Sequence, residues 1–328
     1  MEYAVKLRIL SGREVRTLMN VQDVLEAVEE VFVGLGRGTV RHPVKEPMWL
    51  NEQKTNMLLA MPAFISERKL AGVKWVNMFK DQRPGYPTCG GTILILNNSD
   101  NGQPYALMEA TAITTMRTAG GHGAIAAKYL ARKNSRVAAI IGCGHEGRAG
   151  ADALLHLFQL DEIRVFDLSP EALAAFKDHV GDRARVTCGA SPREAVSSAD
   201  IVMTVTTSRR PVVMFEWLPR GSTVIGLYSF YDLDPSASRK ADKWVLGSRL
   251  SDNHQIVFDP ILAEHKLSMD DVYADLGEIV TRQKAGREND DEIIVYSCLG
   301  MGAFDAAVGQ MVYRRAVEKN LGIELDLT

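Results

Sequence analysis

Three glycines, Gly142, Gly144 and Gly147, stand in G-x-G-x-x-G order directly behind the apolar run Val137-Ala-Ala-Ile-Ile141. That spacing suits one task, the holding of a pyrophosphate by backbone. The first glycine lets the chain turn tightly, the second lets backbone approach the phosphates, and the third lets a following helix pack close to the strand. A helix opening at the turn adds unpaired N–H groups aimed at the anion. Glycine turns are common, so the motif needs its context. A second run, Glu162-Ile-Arg-Val-Phe-Asp167, supplies it by ending in a carboxylate 25 residues after Gly142. An acid at that place bonds the adenosine ribose hydroxyls, which favours NAD over NADP. Metal chemistry has no comparable signal. Cys89, Cys143, Cys188 and Cys298 lack metal spacing, and the seven His include no H-x-x-x-H pair.

The elements that must position these residues follow from periodicity. Strands at 137–141, 162–167, near 185–187, 200–206 and 223–227 alternate with helices at 147–158, 170–180 and 192–197. This alternation predicts a parallel sheet covered on both faces. The strand from Asp200 delivers Thr204 and Thr206 to the carboxyl edge, where open α/β sheets bind ligands. Residues 1–125 read as mixed α/β. A strand at 3–10 precedes a capping box at Ser11 and Glu14, then a helix with Val24, Ala27, Val28, Val31 and Leu35 on one face. Strands are expected at 55–60, 70–77 and 91–96, with a turn over 97–102. From Ala106 to Arg132 the pattern is helical and alanine-rich, interrupted by Thr118-Ala-Gly-Gly121. Each glycine inside a helix costs about 1 kcal/mol, so close backbone packing is expected there. An amphipathic helix over 303–321 is expected to return to the first domain. The fold class is therefore α/β: a Rossmann-type doubly wound parallel sheet over 126–302, plus a second α/β domain from 1–125 with 303–328.

Length and composition bound the rest. The chain has 328 residues, enough for two domains. A net charge of -3 gives no nucleic-acid-binding face. The N-terminus is too charged for a signal peptide, and no apolar run reaches the roughly 18 residues of a membrane span. A cytoplasmic protein with reduced thiols and a small-molecule partner is expected, with no membrane or nucleic-acid partner.

Several segments together resemble the family of ornithine cyclodeaminase and mu-crystallin over nearly the whole chain. They are Leu59-Ala-Met-Pro-Ala63, Leu70-Ala-Gly-Val-Lys-Trp75, Gly91-Thr-Ile-Leu-Ile-Leu96, Met116-Arg-Thr-Ala119, Ala126-Ala-Lys-Tyr-Leu-Ala-Arg132, the glycine turn and residues 296–309. The resemblance implies a homodimer with a Rossmann domain and a separate substrate-binding and dimerisation domain. It also implies NAD(P) used to oxidise amino acids or reduce imines. By resemblance, Lys74 binds the substrate carboxylate and bridges toward the amine. Arg117 serves the same carboxylate and the cofactor phosphate, a task suited to a bidentate cation. Lys45 is a further carboxylate ligand, with Arg41 as competitor. Thr92 and Thr206 contact the cofactor, as do His145 and Glu146 in the turn. The bland readings are a solvent-facing Lys74, a surface ion pair at Arg117, and threonines present for strand propensity.

The chain also departs from the family. His145-Glu146 displaces the usual glutamine, bringing a carboxylate that must point away from the phosphates. The loop Leu227-Tyr-Ser-Phe-Tyr-Asp-Leu-Asp-Pro235 lacks the G-x-D-x-P-G-K of cyclodeaminases, and Phe230 stands at the likely aspartate position. Asp232 then becomes the candidate acid. The expected activity is NAD-dependent hydride transfer at the α-carbon of an amino or imino acid. Cyclodeamination of ornithine and a nucleotide-dependent binding role like that of mu-crystallin are the alternatives. The substrate side chain is read by residues around Met48–Trp49, Met78–Phe79 and Phe230–Tyr231, whose apolar tilt points to a substrate without a terminal charge.

Overall fold

The computed structural model describes residues 5–79, 92–208, 210–227, 232–252 and 267–328. It forms two compact units, Met1–Arg117 with Met301–Thr328, and Thr118–Gly300. The first boundary falls a few residues before the one periodicity suggests. The reason is local: helix Thr111–Arg117 gives way to a π-helical turn, Thr118–Gly123. Its glycines permit the close packing expected of them, since a Cβ on Gly120 would lie 3.1 Å from the Ala149 carbonyl oxygen.

The first unit is built on one mixed sheet. Strand Lys6–Leu10 lies between the C-terminal strand Ile323–Asp326 and strand Pro104–Glu109. Ile93–Asn98, Leu70–Phe79, Asn56–Ile65 and Val40–Arg41 follow in antiparallel order. Two points differ from the sequence reading. Residues 104–109 are a strand, not the start of the 106–132 helix; Ala106 and Met108 alternate inward, and over so short a run that pattern also fits a helix. The C-terminal strand was not foreseen, because its residues are all exposed and alternate too weakly to signal. The long hairpin pairs Met61 with Lys74. On that face Met61, Ala63, Ile65, Leu70, Leu94, Leu96, Ala106 and Met108 are buried. Helix Gly302–Glu318 packs there, joined by helix Val21–Arg37 through Phe304 and Phe32, whose ring centroids are 5.0 Å apart. The helix can lie this close because it meets the sheet with glycine. A Cβ on Gly302 would stand 2.2 Å from the Met61 carbonyl oxygen, and one on Gly309 would stand 2.3 Å from Leu94.

The second unit is a parallel sheet in the order Arg185–Cys188, Glu162–Phe166, Val137–Ile141, Ile201–Thr204, Thr223–Gly226, Ile294–Ser297, Lys243–Leu246, Ala274–Asp275. Chain order reverses between Val137–Ile141 and Ile201–Thr204, the switch point of a doubly wound sheet. Asp200 fixes the start of this region: its carboxylate accepts the N–H groups of Arg136 and Val137 at 2.7 and 2.9 Å and pairs with Arg132. Among the described residues no helix is long and apolar enough to cross a membrane, and no His, Cys, Asp or Glu group is placed to hold a metal.

Candidate active site

At the switch point the glycine turn has the shape its spacing predicts. Gly142 has φ +103°, and a Cβ there would lie 2.7 Å from the Val205 carbonyl oxygen at the neighbouring strand end. Its N–H donates to the Phe166 carbonyl at 2.9 Å. A Cβ on Gly147 would lie only 2.1 Å from the Gly142 carbonyl oxygen, whereas one on Gly144 would meet nothing within 4 Å. The first and third glycines thus serve the packing, and the second borders open space. Helix His145–Leu157 starts at Gly144 with no side-chain cap on its N-terminus. Its first-turn N–H groups therefore suit an anion.

Asp167 stands beside this turn. One carboxylate oxygen accepts the Cys143 N–H at 2.7 Å and the other the Ser169 N–H at 2.9 Å. Each oxygen keeps a lone pair for a ribose hydroxyl, and the fixed charge repels a 2′-phosphate. Cys143 is no nucleophile. Burial first, and then the Asp167 charge, push its thiol up to about 12. His145 is exposed on the first helical turn. Glu146 instead turns to accept the Ala119 N–H at 3.3 Å. That bond holds the Glu146 carboxylate toward the π-helical turn.

Asp232 is fully buried, and its two oxygens accept the hydroxyls of Thr204 and Thr206, each at 3.2 Å. It thereby orients two threonines at the carboxyl edge of the sheet. Asp234, two residues on, accepts the N–H groups of Ser236 and Phe215.

In the first unit the sheet and the glycine-seated helix bring three charges together. Lys74 Nζ lies 2.8 Å from Asp305 Oδ1, and Arg117 Nε lies 3.1 Å from the same oxygen. Thr114 Oγ1 stands 3.4 Å from Lys74 Nζ. Lys74 is 1%, Arg117 5% and Asp305 0% exposed, so neither cation is the surface group of the bland reading. Among the described residues no hydrogen bond reaches Asp305 Oδ2. A carboxylate arriving beside Lys74 and Arg117 would pair with them. Such an ion pair is stronger in a water-poor site than in solvent.

Asp305 is the member of this cluster that sequence reasoning missed. Its signal was present: an acid in the apolar run Met301-Gly-Ala-Phe-Asp-Ala-Ala-Val308 is almost never buried without a partner. Lys45 is half-buried in the segment between Val40–Arg41 and Met48–Trp49. Burial, and then the Lys45 ammonium, hold His42 below the usual imidazole range. Thr92 is buried, and its hydroxyl has no hydrogen-bond partner among the described residues, which leaves it able to meet a ligand. Met48 and Trp49 are exposed, Met78 and Phe79 half-buried, and Phe230 and Tyr231 lie outside the described residues.

Known proteins share this architecture. Alanine dehydrogenase of Archaeoglobus fulgidus is 34% identical over 325 residues, 97% of each chain. An archaeal alanine dehydrogenase dimer with bound NAD superposes with a TM-score of 0.89 at 33% identity, covering 98% of this chain and 100% of the other. Delta(1)-pyrroline-2-carboxylate reductase of Thermococcus litoralis, in complex with NADH and L-proline, superposes with a TM-score of 0.87 at 28% identity, covering 96% and 99%. The ornithine cyclodeaminase/mu-crystallin family model matches residues 5–320. With its glycine turn at the switch point and its buried lysine and arginine on a separate unit, the chain belongs to that family.

Proposed function

We propose that the protein is an NAD-dependent oxidoreductase that transfers hydride at the α-carbon of an amino or imino acid with an uncharged side chain. The observation that carries this reading is the buried Lys74–Asp305–Arg117 cluster, a carboxylate-binding charge set in a chain that also holds a pyrophosphate turn. When bound, NAD(H) supplies or takes up the hydride. The protein binds, orients and handles protons. First-turn N–H groups after Gly144 hold the pyrophosphate, and Asp167 holds the ribose. Arg117 takes the substrate carboxylate, with Lys45 as a further candidate. Lys74 bridges from carboxylate to nitrogen and keeps the imine nitrogen protonated during reduction. Thr92 and Thr206 are proposed cofactor contacts, the latter oriented by Asp232.

The test is NADH and NADPH consumption by purified protein. The panel pairs α-keto acids with ammonia or methylamine and includes preformed cyclic imines such as 1-pyrroline-2-carboxylate. Oxidation of NADH that needs the imine or both of its precursors is expected. A preference for NADPH would remove the role given to Asp167. Tight NADH binding with no turnover would point to a binding protein, and ammonia release from ornithine with trace NAD to a cyclodeaminase.

We further propose a homodimer formed through the sheet face opposite Lys74. Alternation puts Ala60, Trp75 and Ile93, and Pro62, Val73, Ile95 and Leu107, in cross-strand rows on that face. Trp75 is 41% exposed there, and an apolar face of this extent marks an interface. Light scattering is expected to give twice the chain mass for the native protein and the chain mass for Trp75→Glu. A monomeric native protein would overturn the assignment.

A further inference from the structure

Arg148 is the one charge of the glycine turn to which the proposed function gives no task. It is the fourth residue of helix His145–Leu157, half-buried, and its side chain runs back along the helix to the turn. There Nη1 donates to the Cys143 carbonyl at 3.2 Å. That is its one hydrogen bond among the described residues, so the other N–H donors of the guanidinium are uncommitted. A cation at this place works against the helix, whose N-terminus already carries partial positive charge. It suits an anion instead. Arg148 and Asp167 hold the two ends of one residue: Asp167 accepts the Cys143 N–H at 2.7 Å, and Arg148 bonds the Cys143 carbonyl. Both charges act on the Cys143 thiol. Burial first, and then Asp167 and Cys188, push it up, and Arg148 pulls it down. Among the described residues neither Asp167 nor Arg148 forms an ion pair, with the other or elsewhere. The guanidinium is thus close to the acid of the ribose site without being neutralised by it.

We propose that Arg148 is a 2′-phosphate ligand held in reserve, so that the choice of NAD over NADP rests on the Asp167 charge alone. The proposal rests on the nucleotide reading above, in which Asp167 meets the ribose hydroxyls. A 2′-phosphate is the group that adds negative charge at that ribose, and arginine is the side chain that accommodates it. Asp167 prevails in the native chain because two backbone N–H groups, of Cys143 and Ser169, fix it in place, whereas Arg148 hangs from a single bond. Without the Asp167 charge, the phosphate is no longer repelled and the free donors of Arg148 receive it. Glu171, which accepts the Ser169 hydroxyl at 2.7 Å, is exposed, so solvent and salt screen its repulsion.

The experiment measures the dissociation constants of NADH and NADPH by nucleotide fluorescence for the native protein, Arg148→Ala, Asp167→Asn and the double variant. Asparagine keeps an acceptor for the Cys143 N–H while removing the charge. The native protein is expected to bind NADH more tightly than NADPH. Arg148→Ala alone leaves NADH within about two-fold of native, because the arginine is idle when NAD is bound. Asp167→Asn weakens NADH and tightens NADPH by about ten-fold or more. In that background, adding Arg148→Ala costs NADPH about ten-fold, the scale of one charge-assisted hydrogen bond, and leaves NADH unchanged. Arg148→Gln, which can still bond the Cys143 carbonyl, is read in the same way should the alanine variant fold poorly. If either arginine variant weakens NADH and NADPH alike, Arg148 holds the pyrophosphate and the proposal falls. It falls too if Asp167→Asn gains no NADPH affinity, if that gain survives without Arg148, or if both arginine variants fail to fold. In each of these cases NADH binding by the native protein keeps the nucleotide reading standing. A native protein that binds neither nucleotide ends both.

Discussion

Lys74→Met is expected to lower kcat/KM for imino-acid reduction by about a thousand-fold, roughly 4 kcal/mol of transition-state stabilisation. NADH binding is expected to stay near the native value. Lys74 is 1% exposed and meets Asp305 at 2.8 Å, so an unbranched apolar side chain of similar length fills its space. Removing one partner of a buried ion pair usually costs about 3–5 kcal/mol of stability, because the other charge is left alone. Here it is not left alone. Arg117 Nε remains 3.1 Å from the same Asp305 oxygen, and the Thr114 hydroxyl keeps its bond to the Ala110 carbonyl at 3.0 Å. The fold should therefore survive, and the loss should appear in chemistry. The residues proposed to hold the nucleotide phosphates and ribose, Gly142 to Gly147 and Asp167, belong to the other unit, so NADH fluorescence titration serves as the control. A loss smaller than about ten-fold would place proton handling elsewhere and leave Lys74 as a carboxylate ligand.

The contrast between Asp167 and Asp305 shows what the amino-acid order could and could not disclose. Asp167 was legible because strand, glycine turn and acid form a local pattern within some 30 residues, each part with its own periodicity. The doubly wound sheet was legible for the same reason: its central strands are short apolar runs buried on both faces. Lys74 and Arg117 needed resemblance to stand out, since a lone cation on an alternating strand or at a helix end is ordinarily a surface group. Asp305 stands 231 residues from Lys74 in the chain, so no spacing rule joins them. They meet because Gly302 and Gly309 let a helix settle onto the sheet, a tertiary fact. Asp232 was legible as a candidate acid from its loop, but only the packing shows that the Thr204 and Thr206 hydroxyls bond it.

The glycine turn gives the second large effect, and it separates two roles that one motif combines. Gly147→Ala would bring a Cβ to within 2.1 Å of the Gly142 carbonyl oxygen. That overlap is with backbone, so no side chain can rotate away. Gly142 cannot retreat either. It holds φ +103°, and its own position for a Cβ is already 2.7 Å from the Val205 carbonyl oxygen. The helix must move off the strand, at about the 1–3 kcal/mol typical of overpacking, and the N–H groups of its first turn move with it. A lower melting temperature and NADH binding weakened by at least about 100-fold are expected together, because a displaced helix N-terminus no longer points its donors at the phosphates. Gly144→Ala is the contrasting case. Its added carbon meets nothing within 4 Å, so the melting temperature should hold. NADH binding should still weaken, because the carbon occupies the space through which phosphate approaches backbone. Calorimetry on the two variants, with and without NADH, distinguishes these outcomes. If Gly144→Ala binds NADH as the native protein does, the open space beside Gly144 is not where the pyrophosphate lies, and the turn is a packing device alone.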